Sequence, residues 1–132
     1  MRSKIEENFV EKFVVKSRRD RLLFELCGKK RANGIGRFCH NADEMLLQEK
    51  IIEFGNHLHH DEIIKIIEQY AVPERWHIIA FNKSIDGMSC KLSEALDLVL
   101  GNGMAAIIVS DTMAIVESEQ CTGTPARYIL HD

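Results

Sequence analysis

Arg75-Trp76-His77-Ile78-Ile79-Ala80-Phe81 decides the fold, because here the hydrophobic period of the chain changes. The stretch is short, aromatic and rich in apolar β-formers, which is the composition of a strand. Downstream, Ile85-Asp86-Gly87 reads as a turn. Leu92, Ala95, Leu96, Val99 and Leu100 then recur at helical spacing until Gly101-Asn102-Gly103 stops them. Residues 105–109 form an apolar run bounded by turn signals, consistent with a central strand. Ser110-Asp111-Thr112 turns the chain into a hairpin partner at 113–117. Thr122-Gly123-Thr124-Pro125 is a loop, and Arg127-Tyr128-Ile129-Leu130 is a final strand. The order is β-α-β-β-β over residues 73–132. If the first two strands are parallel, their crossover is right-handed. The expected sheet is mixed, has about four strands and carries helices on one face.

Upstream, the spacing is helical. Ser3-x-x-Glu6 is a capping-box pattern, followed by an apolar face of Ile5, Phe9, Val10 and Phe13. Ser17-x-x-Asp20 repeats the start signal, Leu22, Leu23 and Leu26 supply a stripe, and Gly28 is placed to end the helix in the left-handed conformation. Residues 29–36 are basic and glycine-bearing, with Asn33-Gly34 as a turn signal. Asn41-x-x-Glu44 reads as another helix start, leading into Met45, Leu46 and Leu47, with Ile51, Ile52 and Phe54 continuing the apolar content to Gly55. A polar run at 56–60 precedes a helix at 61–70, whose Ile63, Ile64, Ile66 and Ile67 form a stripe broad enough for two neighbours. Pro73 closes it. Residues 1–72 are therefore mainly helical, and the whole chain, 1–132, reads as one α+β domain with N-terminal helices packed on the C-terminal sheet unit.

Composition sets bounds on function. At 132 residues, with 45% hydrophobic and 28% charged residues, the chain can bury a sizeable core without a disulfide or metal staple. Its longest apolar stretch, 104–109, is far too short to span a bilayer, so no membrane association is expected. The opening Met1-Arg2-Ser3-Lys4 is basic but has no apolar core behind it, so it does not read as a signal peptide, and the chain is expected to be complete. Cys27, Cys39, Cys90 and Cys121 contain no C-x-x-C pair and read as reduced thiols of a cytoplasmic protein.

Charge is distributed unevenly. Residues 1–40 carry a net +6 and residues 41–132 a net −9. Such asymmetry marks an acidic-partner or nucleic-acid surface, two halves that attract each other, or identical chains packing basic part against acidic part.

Two segments contain candidate ligands. His57, His59, His60 and Asp61 are residue types that bind metals, but the run matches no defined motif such as H-E-x-x-H, and a polar loop between helices is the preferred reading. Lys29, Lys30, Arg31, Arg37, His40 and Asn41 surround Gly34-x-Gly36. A helix starting at Asn41 would favour a nearby anion, with Arg37 offering bidentate contacts and His40 a titratable donor. Neither a Walker A motif nor a dinucleotide fingerprint accompanies these residues, and Arg37 bridging to the acidic C-terminal half is the competing reading. Lys16, Arg18, Arg19 and Arg21 extend the basic character along the second helix, without a zinc-finger or RNA-recognition signature. Cys39 and His40 are adjacent and so point apart, which argues against a dyad. Glu117 and Glu119 share strand parity and read as solvent-facing acids at a sheet edge, while the loop 120–125 offers a binding edge.

No complete catalytic constellation is present in this pattern, and no cofactor is expected. The leading expectation is a small non-catalytic interaction or regulatory protein that binds another protein or a second copy. The alternative is a binding module or enzyme for a phosphorylated ligand or nucleic acid, built on the segment 34–41.

Overall fold

The computed structural model describes residues 3–55, 57–70, 73–100, 105–118 and 126–132. The N-terminal apolar stripes form α1 (Lys4–Phe13) and α2 (Lys16–Leu26), with Phe9, Val10, Phe13, Leu22 and Leu26 buried. Ser3 makes no side-chain cap, contrary to the capping-box reading, because the Glu6 carboxylate turns inward to Arg31 and His77. Gly28 follows α2 without a positive φ.

The basic segment read as a turn is instead a helix, α3 (Arg31–His40). Its Ile35, Phe38 and Cys39 are buried on one stripe, and that burial outweighs the two glycines. Gly34 marks the closest approach of two helices, not a bend. A Cβ there would lie 2.8 Å from the Glu25 Cβ of α2. The helix expected from Asn41 shrinks to one turn, α4 (Ala42–Met45), with a 3₁₀ turn at Gln48–Lys50 behind it.

Six strands form one sheet: β1 (Ile51–Gly55), β2 (Trp76–Ala80), β3 (Ser89–Cys90), β4 (Ala106–Val109), β5 (Met113–Glu117) and β6 (Arg127–His131), in the order β1-β6-β5-β4-β2-β3. The α+β class and the C-terminal bias of the strands agree with the sequence reading, whereas the strand count and directions differ. Every pair is antiparallel, so the sheet is not mixed. The cause is the short strand β3, which pairs back on β2 through a turn containing Gly87 at φ 85°. That hairpin adds one chain reversal, so α6 (Leu92–Val99) delivers β4 antiparallel to β2. The other added strand, β1, lies on residues read as a helical continuation. Its β-branched and aromatic side chains pair with β6 at the sheet edge.

Both faces of the sheet are covered. Ile79, Ile107, Val109, Val116, Tyr128 and Leu130 pack with α1, α2 and α3. Ile78, Ile108, Met113, Ile115 and Ile129 pack with α6 and α5 (His60–Glu68) on the other side. This explains why 106–109 is apolar without alternation: all four residues are buried. Each such large side chain contributes roughly 1.5–3 kcal/mol relative to exposure. Among the described residues, no helix is long and apolar enough to cross a membrane.

Candidate functional site

Arg31 joins four parts of the fold. Its Nε donates to Asp86 Oδ2 at 2.6 Å, and one terminal nitrogen donates to Glu6 Oε1 at 2.6 Å and the Leu26 carbonyl at 2.8 Å. The other donates to Glu6 Oε2 at 2.8 Å and Asp86 Oδ1 at 2.9 Å. A guanidinium has five N–H groups, and all five are engaged. His77 of β2 adds a 2.7 Å contact to Glu6 Oε2, and the Ala80 amide donates to Asp86 Oδ1 at 3.0 Å. Burial pushes the Glu6 carboxyl upward, but hydrogen bonds and charge from Arg31 and His77 outweigh it and hold the group at about 2. Hydrogen bonds to Asp86 and Glu6 in turn raise the Arg31 guanidinium above its ordinary value.

Two further arginines are engaged in the same manner. Arg37 grips Glu25 of α2 through both carboxylate oxygens, one bond measuring 2.6 Å, so its acid comes from the neighbouring helix and not from the C-terminal half as expected. Arg127 on β6 donates to Glu117 directly opposite on β5, at 2.9 and 3.1 Å, and to the Leu58 carbonyl at 2.5 Å. Each buried glutamate among the described residues, Glu6, Glu25 and Glu117, is therefore paired with an arginine from another element.

The structure does not gather the candidate anion ligands into one concavity. Arg31 and Arg37 lie six residues apart, about 240° around α3, and face different partners. His40 is exposed at the end of that helix, and Asn41 donates back to the Arg37 carbonyl at 3.1 Å. Lys29 and Lys30 are exposed before it. Cys39 is buried while the neighbouring His40 faces outward, as expected for adjacent helical positions.

The histidine run also disperses. His57 is exposed, with Nε2 4.0 Å from Glu53, and His59 precedes α5 without capping it. His60 bridges to Asp97 of α6 at 3.1 Å, and Asp61 points into solvent. Among the described residues no group of three or more His, Cys, Asp or Glu side chains is placed to hold a metal ion. Glu117 is not the solvent-facing acid that its position near a loop suggested, since it is 2% exposed and paired with Arg127. Glu119 and the loop 120–125 lie outside the described residues.

The buried charge pairs were partly visible in sequence. Glu6 sits three, four and seven residues before Phe9, Val10 and Phe13, hence on the buried stripe of α1. Glu25 lies three residues after Leu22 on the buried side of α2. An acid in an apolar stripe demands a cation, but spacing does not say which.

With Glu25 turned inward, the exposed side of α2 is mostly cationic. Lys16, Arg18 and Arg21 are exposed, as are Lys29 and Lys30 beyond its end, with Asp20 as the exposed acid among them. Phe24 protrudes from this face with 67% of its surface exposed, the largest value among the exposed large apolar side chains described. Arg21 lies one turn before it and Cys27 one turn after. The chain matches no protein-family model, no curated protein and no solved structure.

Proposed function

We propose that this chain is a non-catalytic interaction domain that docks an acidic protein surface through the outer face of α2. The observation that carries this reading is Phe24, an exposed aromatic side chain one turn from exposed Arg21 on a helix packed against α3. Arginine and large aromatic residues are enriched at binding hot spots, and an aromatic ring buries large area at small entropic cost. Lys16, Arg18, Arg21, Lys29 and Lys30 add electrostatic steering toward a negative partner. The buried glutamates support a binding role: an arginine-paired carboxylate such as Glu6, titrating at about 2, is poorly suited to exchange protons at neutral pH. The reading places the domain in the reducing cytoplasm, where exposed Cys27 beside Phe24 stays a thiol.

A second copy is the less favoured partner. The basic α2 face and the helices α5 and α6 cover opposite faces of the sheet, so a basic-to-acidic contact between copies is heterologous and gives rings or open chains, not a two-fold dimer. The experiment is quantitative capture from native lysate by the wild type, F24S, R21E and a control, K65E, on α5. The expected result is an acidic protein retained by wild type and K65E and lost by F24S and R21E. Equal recovery by all four overturns the reading. A concentration series in light scattering that shows growing particles identifies the self-association version instead.

A further inference from the structure

Between the turn leading into α3 and the turn after β2 lies a cavity of about 260 Å³. Ile35 and Ala80, both buried, form its apolar base, and the Arg31–Asp86 ion pair runs along one side. That side needs no ligand. Every Arg31 donor is engaged, and both Asp86 oxygens accept hydrogen bonds. The remaining polar walls are different. Lys29 and Lys83 reach the same cavity from two separate turns, and neither has a hydrogen bond or ion pair among the described residues. Two lysines lining one small space repel each other, and an anion held between their ammonium groups converts that repulsion into attraction. Phe81 lines the same space with 44% of its surface exposed, and its flank lies over α3 near Gly36. An exposed ring beside two free cations and above an apolar base is complementary to a flat ring carrying a negative group.

We infer that this cavity binds a small monoaromatic anion, its ring against Phe81 and its charged group between Lys29 and Lys83. The volume of about 260 Å³ falls just below the roughly 300–1,000 Å³ of drug-sized sites, so the ligand is one ring with one anionic substituent and not a dinucleotide. The charged group is a phosphate or a carboxylate, both of which fit a pair of ammonium groups. This site shares Lys29 with the docking face proposed for α2 but does not use Phe24, so F24S leaves it intact.

The test is titration of the full chain at low salt with phenyl phosphate, benzoate and inorganic phosphate, followed by amide chemical shifts. Saturable binding of phenyl phosphate or benzoate is expected, with shifts centred on residues 28–35 and 80–86. The tighter of the two identifies the charged group. K83A should weaken both aromatic anions roughly two- to fivefold. F81A should weaken them roughly fivefold or more while leaving inorganic phosphate unchanged, since stacking is lost and charge is not. Both substitutions are at exposed positions, and an unchanged far-UV spectrum separates lost binding from lost fold. Absence of saturation by about 10 mM, or both variants binding as the wild type does, overturns the inference.

Discussion

Glu6 shows how a single residue couples the helical layer to the sheet. Its carboxyl titrates at about 2 in the fold, against 4.5 ordinarily. A depressed folded-state value means that the ionised group stabilises the protein above about 4.5, and that this stabilisation is lost as pH falls toward 2. The contribution is on the order of 3 kcal/mol. Urea unfolding between pH 6 and pH 2 checks it: the wild type should lose stability across that window, and E6Q should start lower and lose less. Parallel curves for the two proteins would refute the assignment. The burial of Glu6 is legible in its place on the α1 stripe. Its partners are not, because Arg31 and His77 lie 25 and 71 positions away and only folding brings them together.

Among the elements, α3 is the most instructive. Asn33-Gly34-Ile35-Gly36 has the composition of a turn, yet it is helical and packs tightly on α2. At an open helical site, Gly→Ala is favourable by about 1 kcal/mol. At Gly34 the added methyl meets the Glu25 Cβ at 2.8 Å, and that atom sits at the root of a side chain pinned by Arg37. G34A is therefore expected to destabilise the protein by roughly 1–2 kcal/mol net, overpacking exceeding the propensity gain. Chemical denaturation decides the sign, and a stabilised variant would show that α2 and α3 separate freely. Strand β1 carries the same lesson from the other direction. Apolar content at 51–54 is compatible with helix or strand, and pairing with β6, more than 70 residues later, selects the strand.

For the whole molecule, the central issue is that two helical layers share one sheet. Ile107 and Ile108, adjacent on β4, face opposite layers, so neither layer keeps its core if the strand leaves. The expectation is one cooperative unfolding transition. Trp76, the single tryptophan, is fully buried on the α5–α6 face and reports that layer, while far-UV circular dichroism reports all helices and strands. Coincident denaturation curves are expected, and a displaced fluorescence transition would mean two independently folding units. The strands at 76–80, 106–109, 113–117 and 127–131 and the helices α1, α2, α5 and α6 follow from local patterns, because periodicity and turn residues act over a few positions. Sheet order, the antiparallel sense of β2 and β4, the edge strand β1 and the pairing of each buried glutamate with its arginine come from contacts between distant segments. So do the candidate sites. The segment 29–41 looked basic and available, but tertiary packing commits Arg31 and Arg37 to acids and leaves Lys29, Lys83, Phe81 and Phe24 facing outward. Local physics writes the elements into the chain, whereas the partner of a buried charge is whichever opposite charge the fold brings beside it.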